Sequence, residues 1–319
     1  MVAAALIAVA TTTSGCWLLD ISQPQPIESA AATPFVPTTW ELRPIVLPAG
    51  HEGGVIMDVS PDGSVIVFRD ADVYDPLYIE VGSQVRELVP PGHERGAPVG
   101  SQMFADGRTL LIGELAHAWI YDIPTGTSEL IPDPPEGGSG TYALTDGRIV
   151  ALTGSVASYE FGGVTDSKLW LLDPTAMAWS QLGTRRDGIT MLPMSDGVAL
   201  VVDRSPDHDN SQWVWYRIDF DGSESLIHAF EGPPGCFALA LDGAHVAVSR
   251  TTGGDDGTWL VDVATGYERR ISDGCPVRFS PDGLELAVHF SDGHWEALSL
   301  SGTIVTSVTS ANVGWIGVP

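Results

Sequence analysis

From about residue 50 to residue 308 short apolar runs alternate with turns built from Asp, Gly, Pro and Ser, and no helical stripe follows residue 20. Alternation over runs this short predicts strands. The turns also keep a beat. Asp-Gly pairs flanked by apolar runs fall at Asp62, Asp106, Asp146, Asp196, Asp242 and Asp282, at intervals of 44, 40, 50, 46 and 40 residues. Asp-Gly favours the centre of a two-residue hairpin, because both positions tolerate positive φ. Each pair therefore predicts strand, turn, strand, as in Val55 to Val59 then Val65 to Phe68, or Val277 to Phe279 then Leu284 to His289. A second marker follows later in each unit, where an aromatic opens a third strand and a Gly turn leads to a fourth. Trp119 and Gly126, Trp215 and Gly222, Trp259 and Gly266, and Trp295 and Gly302 share one spacing of seven residues. Trp170 reaches Met177 at that spacing, and the first unit, around Tyr78 and Gly82, is shorter.

Two markers sharing one long period distinguish these units from sandwich hairpins, which recur roughly every 8 to 12 residues without a longer beat. A four-stranded unit at this interval is a propeller blade. The expected fold is all-β, a β-propeller of six blades with four antiparallel strands each. Apolar segments at Trp40 to Leu47 and Val313 to Val318 remain over to close the ring, since an unpaired edge invites aggregation. A seventh blade is the alternative, if the two ends together build a composite one. Ser60-Pro61-Asp62-Gly63 and Phe279-Ser280-Pro281-Asp282-Gly283, each running into an apolar strand, resemble the signature of TolB-like propellers built from WD-like PD40 repeats. Phe104-Ala105-Asp106-Gly107 and Leu144-Thr145-Asp146-Gly147 are weaker echoes. The resemblance covers roughly residues 50 to 308 and implies a fold and a tendency to protein interaction, without carrying over any functional residue.

Composition agrees with this reading. The 319 residues include 36 Gly and 23 Pro, only 18% are charged and 44% are hydrophobic, which suits many short strands around a real core. Asp and Glu number 41 against 15 Lys and Arg, for a formal charge of −26 that repels phosphate backbones and makes nucleic acid an improbable partner.

Residues 2 to 10 form an apolar run too short to cross a bilayer, which needs about 20 residues. The run fits a signal-peptide core. Thr13-Ser14-Gly15-Cys16 follows it and resembles a bacterial lipobox, with Thr13 where Leu or Val is usual. The resemblance implies acylation of Cys16 after removal of residues 1–15, export, and a membrane anchor on the extracytoplasmic side. Residues 16–39, rich in Pro, Ala, Ser and Thr, then form a tether extending roughly 3.1 Å per residue. Residues 40–319 form a single propeller domain.

Lipidation of Cys16 would leave Cys236 and Cys275, near the start of the first strand in consecutive units, as an even pair. Export permits a disulfide between them; two free thiols, or a metal-binding or reactive thiol, are the alternatives. Asp207-His208-Asp209-Asn210-Ser211 opens like a calcium loop but continues with Gln212 and Ile218 where Gly and Glu are needed. Gly253 to Trp259 is similar to the Asp-box of sialidases, one residue short. His51-Glu52 and His93-Glu94 do not extend to a zinc-protease pair, and no nucleophile elbow or phosphate loop is present. At least five of the ten Trp begin third strands at repeat positions, where packing between blades explains them, while Trp179 and Trp213 fall off that pattern as candidate exposed contacts. No catalytic residue, metal or cofactor is expected. The favoured function is a non-catalytic scaffold at the cell envelope, binding an envelope protein or a surface ligand. The alternatives are a passive structural part and an extracellular enzyme, a glycan or lactone hydrolase or a sugar dehydrogenase, working at the channel mouth.

Overall fold

A computed structural model describes residues 37–319 apart from 71–75, 90–99, 105, 114–116, 136–139, 144–146, 157–163, 174–175, 189, 195–196, 204–211, 232–234 and 251–256. After β1 (Thr39–Pro44) come six sheets of four antiparallel strands, each in simple chain order. The first blade is β2 (Val55–Val59), β3 (Val65–Arg69), β4 (Leu77–Val81) and β5 (Gln84–Leu88). The second is β6 (Gly100–Met103), β7 (Thr109–Gly113), β8 (Ala118–Asp122) and β9 (Thr127–Leu130). The third is β10 (Gly140–Ala143), β11 (Ile149–Val156), β12 (Val164–Asp173) and β13 (Ala178–Gly188). The fourth is β14 (Thr190–Pro193), β15 (Gly197–Asp203), β16 (Gln212–Asp219) and β17 (Glu224–Glu231). The fifth is β18 (Phe237–Leu239), β19 (His245–Arg250), β20 (Gly257–Asp262) and β21 (Glu268–Ser272). The sixth is β22 (Cys275–Phe279), β23 (Glu285–His289), β24 (His294–Ser299) and β25 (Ile304–Thr309). The six-bladed propeller expected from the repeat is the observed fold.

The core is a series of layers between neighbouring blades. Val67 and Ile79 meet Leu110 and Tyr121 between the first and second blades. Leu152 and Leu169 meet Val198 and Ile218 between the third and fourth. Ala247 and Leu260 meet Leu286 and Leu298 between the fifth and sixth. Each Leu or Ile fully withdrawn from water there contributes roughly 1.5–3 kcal/mol. The repeat aromatics serve the same layers, and Trp119 and Trp215 are fully buried.

The two ends of the chain form a ribbon, β1 paired antiparallel with β26 (Val313–Val318), from Thr39 opposite Val318 to Pro44 opposite Val313. This ribbon is two strands and not a seventh blade. It is wedged between the sixth and first blades. Leu42 and Trp315 pack on Ala287 and Ala297 of the sixth, while Gly317 N donates to Pro61 O of the first at 2.7 Å. The side chain of Asn312 stands in for a peptide along β2, its Oδ1 accepting from Ile56 N (3.2 Å) and its Nδ2 donating to Gly54 O (3.1 Å).

The Asp-Gly hairpins differ from the expected two-residue turn. Gly63 (φ 71°), Gly107, Gly147, Gly243 and Gly283 (φ 74°) take the left-handed conformation, Gly197 does not, and neither do the described neighbours Asp62, Asp106, Asp242 and Asp282. The pairing closes one step further out than a two-residue hairpin, with Ser60 N donating to Val65 O (2.9 Å), and Phe104 N to Thr109 O and Ala240 N to His245 O close equivalent loops that contain no proline. Inside the loop the buried Ser60 hydroxyl donates to Asp62 Oδ1 (2.7 Å) and accepts from Val65 N (2.9 Å), and Asp62 Oδ1 also accepts from Ser64 N (3.0 Å). Ser280 and Asp282 repeat this arrangement in the sixth blade. The motif is thus a self-contained turn lock.

The third-to-fourth strand turns use left-handed glycines at Gly126, Gly222, Gly266 and Gly302, and Met177 takes that place in the third blade with φ 47°. A left-handed L-residue costs roughly 1–2 kcal/mol, which Gly avoids at the expense of a freer unfolded chain. Met177→Gly is therefore expected to stabilise the fold by about 1 kcal/mol, read as a rise in the urea midpoint with an unchanged slope.

Candidate functional site

The first strand of each blade is its inner edge, and inner strands of successive blades adjoin one another around the central opening. Their sequences are VIMDV, GSQM, GTYA, TMLP, FAL and CPVRF, so Asp58 and Arg278 are all the Asp, Glu, Lys, Arg and His residues of these six strands. Both stand four residues before the turn Asp of their repeat. Both follow a bulge, which falls between Ile56 and Asp58 on β2 and between Pro276 and Arg278 on β22. A bulge adds one residue to a strand and re-aims the side chain that follows it.

The pair meets across the seam where the ring closes, with Arg278 Nη1 3.9 Å from Asp58 Oδ1. Asp58 is nearly enclosed, its side chain 11% exposed, whereas that of Arg278 is 65% exposed. Asp58 Oδ1 accepts from Val59 N (2.9 Å) and Oδ2 from Met103 N of the second blade (2.5 Å), so one carboxylate ties together three blades. Burial pushes its pKa up, and the opposing pull of Arg278 and of the Met103 and Val59 amides does not cancel that rise.

The reading from sequence missed this pair. Aligning the repeats on their turn Asp exposes it, because the slot reads Asp58, Gln102, Tyr142, Leu192, Ala238 and Arg278, polar in three consecutive blades and apolar or aromatic in the others.

The residues that the sequence singled out are dispersed. Cys236 and Cys275 form a disulfide, Cα atoms 5.7 Å apart, joining the entry of the fifth blade to the start of β22. His51 is not beside a metal ligand set; its Nδ1 is 2.8 Å from Asp70 Oδ1 and its ring packs against Phe68 and Tyr78, which fastens the loop before β2. The indole of Trp179 donates to Pro132 O at 2.7 Å and packs into the layer between the second and third blades, a structural role in place of the exposed contact expected. Cys16, His93, Glu94, Asp207 to Ser211 and Gly253 to Asp256 lie outside the described residues, as does the side chain of Trp213. Among the described residues no group of three His, Cys, Asp or Glu side chains is placed to hold a metal ion.

Outside the wall, carboxylates serve the turns. Asp262 accepts from Thr265 Oγ1 (2.8 Å) and N (2.9 Å), which hold its pKa low, and Asp122 engages Thr125 in the same way in the second blade. This recurrent cap, closing the third strand, was also missed in sequence.

No protein-family model matches the chain, and no curated protein sequence does. Solved structures do. Hydrazine synthase of Kuenenia stuttgartiensis is similar at 13% identity with a TM-score of 0.56, over 86% of this chain and 97% of that one. TolB from Acinetobacter baumannii is similar at 16% identity and 0.52, over 84% and 67%. Tricorn protease is similar at 12% identity and 0.55, over 82% of this chain and 31% of that one. The fold is that of a six-bladed, TolB-like β-propeller, and at these identities the likeness concerns the fold alone.

Two outcomes follow. The disulfide closes a separation of 39 residues, for which loop entropy gives about 4 kcal/mol, so Cys236→Ser with Cys275→Ser is expected to lower the unfolding free energy by up to that amount in denaturant titrations. For Asp58, a folded-state pKa above the unfolded one means that its contribution is complete below the unfolded value and is lost as pH rises through the folded value. The stability advantage of the wild type over Asp58→Asn is therefore expected to shrink as pH rises from the acid side, measured by urea unfolding at several pH values; a widening gap would contradict the assignment.

Proposed function

We propose that this chain is an exported lipoprotein, acylated at Cys16 and held at the extracytoplasmic face of a membrane, whose propeller is a non-catalytic scaffold for an envelope protein or a surface ligand. The observation that carries the scaffold half is the inner wall. General acid–base or metal-assisted chemistry needs several ionisable groups converging on one point, and among the described residues the inner strands offer a single Asp58–Arg278 contact, with Asp58 already engaged by two backbone N–H groups. Rigid blades carrying loops on a tether suit recognition, since binding groups commonly sit on loops held by a stiff body. The anchoring half is supported by the small residues before Cys16 and the Pro-rich stretch after it. Two or more acyl chains hold a protein to a membrane stably where one holds it marginally.

Fatty-acid labelling in a bacterial host is expected to mark the wild type and not Cys16→Ser, and to move the variant from the membrane to the soluble fraction. Crosslinking and pull-down of the anchored protein from its own envelope should recover a specific partner. A protein that stays free of fatty acid after export sinks the anchoring half, and turnover of a glycan or lactone sinks the scaffold half.

A further inference from the structure

Carboxylates outnumber Lys and Arg 41 to 15 in this chain, so a guanidinium usually finds one. Arg43, Arg217, Arg250 and Arg270 each hold a carboxylate. Arg278 does not, although Asp58 lies beside it. Asp58 is turned to the backbone instead, Oδ1 accepting from Val59 N and Oδ2 from Met103 N. The 3.9 Å from Arg278 Nη1 to Asp58 Oδ1 is beyond hydrogen-bond reach, so the carboxylate steadies the cation by charge without occupying its donors. Among the described residues the Arg278 side chain has no other partner, and it is 65% exposed on an innermost strand.

The backbone singles out the same place. Of the six pairings between an innermost strand and its neighbour, only β2–β3 and β22–β23, on the two sides of the seam, carry a bulge. In β22 the extra residue is Val277, and Val277 and Arg278 are exposed in succession, where a regular strand would turn them to opposite faces. Val277 is 44% exposed and Val55 of β2 51% exposed, so apolar surface accompanies the cation on both strands of the seam.

We infer, resting on the scaffold reading above, that Arg278 anchors a ligand site at the seam of the inner ring, which takes a monocarboxylate carrying an apolar group next to its charge.

The guanidinium fork presents parallel N–H donors that match the two oxygens of a carboxylate. A phosphate matches them too, but its further negative charge raises the repulsion from Asp58 and from a body carrying −26. A monoanion keeps the bond to Arg278 at the smaller cost. Val277 and Val55 give an apolar group beside that carboxylate a surface to cover, which withdraws both from water. A free aliphatic acid and the C-terminus of a peptide ending in Leu share this chemistry.

The full chain in a Cys16→Ser background is titrated by calorimetry with isocaproate and with N-acetylated Ala-Ala-Leu, each alongside its uncharged amide, and with inorganic phosphate. Saturable binding of at least one acid is expected, roughly ten- to a hundredfold tighter than its amide, the range for hydrogen bonds to a charged group. The tighter of the two acids tells a free acid from a peptide C-terminus as the source. Arg278→Gln should abolish the binding while the far-ultraviolet spectrum stays unchanged. If that variant does not fold, Val277→Asp, a negative charge set beside the guanidinium at an exposed position, decides by weakening the acids and not the amides. No saturation by either acid, an amide bound as tightly as its acid, acid binding indifferent to these substitutions, or phosphate bound more tightly than both acids would overturn the inference. The titrations use no envelope partner, so their failure strikes this site alone, whereas an envelope that yields no partner strikes the scaffold.

Discussion

Ring closure is the constraint on which the rest of this structure depends. A blade is a twisted sheet with apolar side chains on both faces, so it is stable only when a neighbour covers each of them. Five of the interfaces are formed by consecutive blades, but the first and last are far apart in the chain. Their outer faces are covered by the ribbon β1–β26, which brings Trp315 and Leu42 onto the sixth blade and sets Ile316 against Gly63 of the first. The termini are thereby part of the core. Asp58 and Arg278 span the same seam on its inner side, and Asn312 secures the free stretch of β2 at its start.

The acidity of the chain has a local explanation in much of the fold. Asp62, Asp106, Asp122, Asp242, Asp262 and Asp282 each accept backbone N–H groups inside turns. Carboxylates favour this work because they mimic the backbone and fix the two or three residues that reverse the chain. A repeat architecture copies the device with each blade, so negative charge accumulates with blade number and need not mark a cation site. The six innermost strands, by contrast, carry only Asp58 and Arg278 as charged residues.

The disulfide and the Asp58 carboxylate are complementary fastenings of the inner ring. Cys236–Cys275 joins the fifth and sixth blades covalently. Asp58 joins the sixth, first and second through hydrogen bonds and charge. The first acts largely by restricting the unfolded chain. The second acts in the folded state, where an amide of the second blade would otherwise be left without an acceptor.

The repeat, the number of blades and the strand order were legible in the sequence, because they are set by local chemistry recurring at a fixed interval: Ser-Pro-Asp-Gly locks, aromatic third-strand starts, and glycines where the backbone turns left-handed. Even the irregular third unit announced itself, since Met177 fell where the other repeats place Gly and duly adopts a positive φ. The width of the turns was not legible, because the same closure joins Ser60 to Val65, Phe104 to Thr109, Ala240 to His245 and Ser280 to Glu285 with and without a serine or proline at the turn, so no residue type marks it. Nor was the pairing of Asp58 with Arg278, residues 220 apart in sequence, which meet only because a circle brings its first and last inner strands together. Short-range bonding patterns are written in neighbouring residues, whereas a contact across the seam exists only once every intervening blade has contributed its share of rotation.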